Sequence, residues 1–133
     1  MALLDHVGIR VTNLDRSINF YTEMFGFELV DRRMLGGGDN IEAAAIKVGE
    51  SLIFLLYNPA FVALPPSVEG RPDHFCLTFE AKEFEAIMAK LAAAGVFEKL
   101  QCELMPRTGA TGRSPSKYIL DPDNHQIEVK MRQ

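Results

Sequence analysis

Asp5-His6-Val7-Gly8-Ile9-Arg10-Val11 and Asp73-His74-Phe75-Cys76-Leu77-Thr78-Phe79 read alike and stand 68 residues apart. In the first, Val7, Ile9 and Val11 fall on one side of an extended chain, and His6, Gly8 and Arg10 on the other. That is the period of a strand with one apolar face. In the second, Phe75, Leu77 and Phe79 alternate in the same phase with His74, Cys76 and Thr78. The likeness extends downstream of both. After Val11 come the helix-start candidates Thr12, Asn13 and Asp15, and then Leu14, Ile18, Tyr21 and Phe25 at the spacing of an amphipathic helix that stops at Gly26. Strands are expected over 27–34, Glu42–Val48 and Ser51–Tyr57, divided by Gly36-Gly37-Gly38-Asp39 and by Gly49-Glu50. In the second half a helix over 84–94 stops at Gly95, and strands are expected over 96–104, 116–120 and Gln126–Met131. Between the halves, Pro59, Pro65, Pro66, Gly70 and Pro72 interrupt both helix and ladder bonding and mark a linker.

The spacing is too long for a solenoid repeat and indicates one duplication of a βαβββ unit. The expected class is α+β, with tandem βαβββ repeats forming a curved mixed sheet. A single domain over residues 1–133 is expected, built of modules 3–57 and 73–131 with the linker at 58–72. A chain of 133 residues and 14.8 kDa suffices for that and excludes a large multi-domain enzyme. Hydrophobic residues make up 47%, enough for a real core. The formal charge of −4 removes the electrostatic drive toward nucleic acid or an anionic membrane. The expected partners are a small-molecule substrate and a second copy of the chain. Cys76 and Cys102 show no disulfide or zinc spacing and read as reduced core thiols in a cytoplasmic protein. Neither a signal peptide nor a membrane span is expected.

The duplication places the polar residues. His6 and His74 open equivalent strands and point to equivalent faces, away from the apolar set. Aligning the last strand of each half puts Phe54 where the second half has Glu128, a carboxylate flanked by Ile127 and Val129. Two imidazoles and one carboxylate are the ligand set of a facial triad that leaves open positions on a metal. A single strand histidine is usually a satisfied core or surface residue, and a strand Glu is usually solvated. The weight lies in the joint pattern, because only 3 histidines exist and two of them occupy equivalent places.

Several segments together resemble the vicinal oxygen chelate superfamily, which holds glyoxalase I, fosfomycin-resistance proteins, extradiol dioxygenases and bleomycin-binding proteins. They are the tandem units, the Asp-His openings, Ile18-Asn19-Phe20-Tyr21 before Phe25-Gly26-Phe27, and Tyr118-Ile119-Leu120-Asp121-Pro122-Asp123-Asn124-His125-Gln126-Ile127-Glu128. The resemblance runs from Asp5 to Val129 and implies a glyoxalase-like fold. It also implies a divalent ion, Fe2+ or Mn2+ ahead of Zn2+ or Ni2+, on His6, His74 and Glu128, with Tyr118 as a catalytic residue touching substrate. A homodimer is implied as well, with each site made either within one chain or from His6 of one chain and His74 and Glu128 of the other.

Departures from the subfamilies narrow the reaction. Glyoxalase I carries a fourth ligand, a glutamate, where this chain has Phe54, which cannot bind a metal. Extradiol enzymes carry a histidine shortly before the tyrosine, where this chain reads Gly112-Arg113-Ser114-Pro115-Ser116-Lys117. Fosfomycin enzymes have Gly-His and a threonine where Asn124-His125 and Gly8 stand. Pro106 to Gly112 is similar to uncharacterised glyoxalase-domain proteins. The implied activity is a dioxygenase-like or fosfomycin-resistance-like enzyme, with a metal-free, bleomycin-resistance-like sequestering protein as the alternative. Phe54 is expected to line the substrate cup, and Arg107 and Arg113, flanking a glycine-containing loop, are candidate clamps for an anionic substrate. Asp121-Pro122-Asp123-Asn124 reads as a turn, and Gly36-Gly37-Gly38 as a hairpin tip.

Overall fold

Helix 1 shows how local sequence sets the architecture. Asn13 has extended backbone geometry and its side chain accepts from Arg16 N–H, while Gly26 takes the left-handed conformation at φ 70 and its N–H bonds Thr22 O. Between these caps α1 spans Leu14–Phe25 and buries Leu14, Ser17, Ile18, Tyr21 and Phe25. The computed structural model describes residues 1–35, 40–63 and 72–133, so the glycine hairpin tip and most of the proline linker lie outside the described residues.

The chain divides into two units, Met1–Ser67 and Val68–Gln133. In the first, β1 (His6–Val11), β2 (Glu28–Met34), β3 (Glu42–Val48) and β4 (Ser51–Tyr57) form a four-stranded sheet in the order β1-β4-β3-β2. β1 runs parallel to β4 and the other pairs are antiparallel. Helix α1 covers the face carrying Ile9, Val11, Ala44, Ile46, Ile53 and Leu55, all buried. β2 is exposed along its length, as an edge strand, and is tied back by Arg32, which bonds Glu42 on β3 and Asp15 on α1. A short 3-10 helix, Pro59–Ala63, follows β4.

The second unit repeats the plan with β5 (Phe75–Phe79), α2 (Ala81–Ala93), β6 (Met105–Gly109), β7 (Gly112–Leu120) and β8 (Gln126–Met131), in the order β5-β8-β7-β6. Its core joins Phe84, Ile87 and Leu91 of α2 to Leu77, Phe79, Ile119, Ile127 and Val129. The α+β class and the βαβββ duplication thus stand as read.

Three expectations need correction. Residues 96–104 are not a strand: Val96–Lys99 forms a 3-10 helix after Gly95, with Val96 buried, and β6 begins only at Met105. The apolar pair Val96-Phe97 is spent on sealing the end of α2 instead of on a ladder. The segment with Arg107 and Arg113 is not an irregular loop either. It forms the β6–β7 hairpin, where an edge strand tolerates Pro106 and Gly109. Finally, the cysteines are free but not core residues: Cys76 is exposed, because it alternates away from the face that α2 covers, and Cys102 is only half-buried.

Candidate functional site

Strand register puts the equivalent residues at equivalent places. Gly8 on β1 pairs with Phe54 on β4, and Cys76 on β5 pairs with Glu128 on β8. Across the next ladder Ala45 faces Phe54, and Tyr118 faces Glu128. Phe54 therefore occupies in the first unit the position of Glu128 in the second, as the aligned strands indicated. The two histidines also repeat their surroundings. His6 Nδ1 lies 2.5 Å from Asp5 Oδ2, and His74 Nδ1 lies 2.7 Å from Asp73 Oδ1. The His6 ring meets Phe54 edge-on at 4.8 Å, and the His74 ring meets Tyr118 edge-on at 5.0 Å.

In the second unit these residues converge. Glu128 is 5% exposed and its Oε2 stands 3.4 Å from His74 Nε2. Its other oxygen, Oε1, is buried with no hydrogen-bond partner. A carboxylate only accepts, and the His74 ring stands between two of them, Asp73 at Nδ1 and Glu128 at Nε2; in the tautomer with its proton on Nδ1, Nε2 is free to act as a ligand beside Glu128. In that tautomer the Nε2 lone pair and a buried carboxylate whose Oε1 has no hydrogen-bond partner are two ligands suited to a divalent cation. The Asp73 contact is the outer support that orients a metal-bound imidazole. The donor set therefore fits a metal through these two side chains. Among the described residues no three His, Cys, Asp or Glu side chains are placed together to hold one, and His6 belongs to the first unit.

Tyr118 lies between this pair and Arg107. Burial, then the charge of Glu128, raises its phenol above the usual value, against the opposing pull of Arg107. Its hydroxyl makes no hydrogen bond among the described residues. Although Cys76 as a residue is exposed, its thiol is partly desolvated against β8, and this first, then the charge of Glu128, pushes it up to about 11. Arg107, on β6, stacks its guanidinium 4.8 Å from the centre of the Tyr118 ring. Arg113 alternates onto the other face of β7, with Lys117 and Ile119, away from Tyr118 and Glu128.

Reading the sequence missed two members of this neighbourhood and one residue of the first unit. Lys130, two positions beyond Glu128 on the same face, is 1% exposed, and its Nζ donates to the carbonyls of Arg107 and Ser114. Alternation along β8 was the available signal for it. Asp121 is more than a turn residue, being fully buried and accepting from the backbone N–H of Asp123 and His125. Arg10 shares the His6 face of β1 and lies 4.7 Å over the Phe61 ring.

Comparison with known proteins agrees with the duplication. Residues 3–129 match the family described as the Glyoxalase/Bleomycin resistance protein/Dioxygenase superfamily. A glutathione transferase FosA of Serratia marcescens is 29% identical over 95% of this chain and 78% of its own length. A lactoylglutathione lyase of Schizosaccharomyces pombe is 28% identical over 95% of this chain, which spans only 46% of that protein. Among solved structures, a glyoxylase/bleomycin resistance protein/dioxygenase domain from Frankia shares the fold with a TM-score of 0.74 at 20% identity, covering 100% of this chain and 93% of that one. No helix of the described residues is long and apolar enough to cross a membrane.

Proposed function

The chain belongs to the Glyoxalase/Bleomycin resistance protein/Dioxygenase superfamily, and on that premise we propose that it is a metal-dependent enzyme acting on a small substrate that chelates through two oxygens. Its chemistry is fosfomycin-resistance-like or dioxygenase-like, and not that of a lactoylglutathione lyase. The observation that carries this reading is Glu128, a buried carboxylate with one unpartnered oxygen, set 3.4 Å from Nε2 of His74. A structural carboxylate in that position would have recruited donors.

In this reading His74 and Glu128 supply two ligands and His6 the third. We take the third ligand to come from His6 of a partner subunit in a homodimer, one of the two arrangements that the family resemblance implies. The two modules then act as one catalytic domain. Two imidazoles and a carboxylate suit Fe2+ or Mn2+ ahead of Zn2+ or Ni2+. When bound, such an ion supplies Lewis-acid stabilisation of negative charge developing on a substrate oxygen. The protein's own residues do the rest. Asp73 fixes the tautomer and the ring plane of His74. The Tyr118 hydroxyl donates to the substrate oxygen, and Phe54 gives the cup an apolar wall that keeps water out.

Phe54 decides among the reactions. Moving a proton between adjacent carbons needs a base beside the metal, and no carboxylate stands at this position. A substrate that accepts a nucleophile or oxygen beside the metal makes no such demand, and the FosA likeness supports group transfer. The test is metal analysis of protein purified without chelators or a nickel column, for the wild type and the alanine variants of His6, His74 and Glu128. The expected result is one divalent ion per chain, lost in each variant. A wild type without metal that still binds drug-like ligands would overturn the reading in favour of sequestration.

A further inference from the structure

The geometry points to Arg107 as a positioning residue for Tyr118, and not as a clamp for an anionic substrate; we propose this on the reading above that Tyr118 touches substrate. Both terminal nitrogens of Arg107 are already engaged by the protein. Nη1 donates to Ser116 O at 2.5 Å and to Ser116 Oγ at 3.2 Å. Nη2 donates to Glu103 O at 3.2 Å and to Cys102 Sγ at 3.4 Å. An anion could recruit these donors only by breaking the bonds that hold the side chain in place. Beyond Nε–H, a single donor that cannot grip an anion in bidentate fashion, the guanidinium offers its flat face, and the Tyr118 ring occupies it at 4.8 Å.

The rest of the neighbourhood holds Arg107 still. Lys130 Nζ donates to the carbonyl of Arg107 and to that of Ser114, its register partner on β7. The Lys130 stem lies under Gly109, where a Cβ would come within 3.3 Å of Cε. Lys117 Nζ donates to Cys102 O at 2.5 Å, and Tyr118 N–H donates to Cys102 Sγ at 3.5 Å. The segment that Arg107 grips is thus itself strapped to β7. Tyr118 is consequently held between a fixed guanidinium and the edge-on ring of His74. Its two side-chain torsions are set before any substrate arrives, which is preorganisation of a donor.

The experiment uses the full metal-free chain with carbon-13-labelled tyrosine and histidine and nitrogen-15-labelled arginine. There are 3 tyrosines, and Tyr118→Phe assigns the signals of interest. In Arg107→Gln and Arg107→Lys the ring signals of Tyr118 and His74 are expected to shift, while those of Tyr21 and Tyr57 in the first unit stay in place. Lysine keeps the charge but not the flat face, so it does not restore the wild-type spectrum. Titration with inorganic phosphate is expected to leave the wild-type Arg107 and Tyr118 signals unmoved. Unshifted Tyr118 signals in both variants overturn the proposal. So does a saturable phosphate response that disappears in Arg107→Gln. If the Arg107 variants do not fold, Tyr118→Leu is read at the Arg107 side-chain nitrogen, where an unchanged signal refutes the contact. None of these readouts needs metal, so a failure of metal binding would sink the functional reading and leave this one standing.

Discussion

Glu128 and Asp121 are both buried carboxylates of the second unit, and their surroundings assign them opposite tasks. Asp121 accepts at 3.0 Å from Asp123 N–H and at 2.8 Å from His125 N–H, and its Oδ2 lies 2.9 Å from His125 Nδ1. Asp121→Ala leaves these part-buried donors without their acceptor, and is expected to lower stability by roughly 1 to 3 kcal/mol in urea unfolding. Glu128 has an oxygen with no donor at all. Glu128→Gln is therefore expected to raise the melting temperature of the metal-free protein, since it removes a buried charge lacking a full set of partners. The same variant should lose the stabilisation that the wild type gains from added Mn(II), about 2.7 kcal/mol at a hundredfold excess over Kd. Two-arm calorimetry, with and without Mn(II), checks both halves, and equal gains in the two proteins would refute the assignment. His74 and Glu128 were legible in the sequence because period-two alternation and an internal repeat act on single positions. The bonding of Arg107 and Lys130 was not, because it depends on the β6–β7 register, which no local pattern encodes.

At the scale of elements, the readable parts carry their own end signals. Asn13 and Gly26 bracket α1. Asn13→Ala is expected to cost about 1 kcal/mol, measured by chemical unfolding, because Arg16 N–H loses its acceptor. The turn between β7 and β8 uses Asn124 at φ 65, where a side chain other than Asn or Asp is strained. Asn124→Gly should leave stability within a few tenths of a kcal/mol, whereas Asn124→Val should lower it by roughly 1 to 2 kcal/mol. β6 escaped the reading for the converse reason. Met105-Pro106-Arg107-Thr108-Gly109 has no apolar alternation and only Thr108 as a strand former, and it is a strand because β7 offers an edge to pair with. The run at Val96-Phe97 had the hydrophobicity of a strand but was claimed by the end of α2, where Lys117 Nζ lies 4.6 Å over the Phe97 ring.

At the scale of the molecule, the duplication leaves the proposed ligand set unequal: His6 in one unit with Phe54 beside it, His74 in the other with Glu128 beside it. A homodimer in which His6 crosses to the partner's pair gives two identical sites, and it makes a prediction that a site made within one chain does not share. His6→Ala and Glu128→Ala are each expected to bind no metal as separate homodimers. When the two are unfolded, mixed in equal amounts and refolded together, half of the dimers are mixed. In each mixed dimer one site carries both lesions and the other carries none, so about a quarter of all sites should regain metal by elemental analysis. Sites built within a chain would give no recovery, because every chain carries a lesion in its own site. Refolding the wild type alone through the same steps fixes the full-occupancy reference. A monomer by light scattering at micromolar concentration would remove the premise, and metal retained by either variant before mixing would remove that residue from the ligand set.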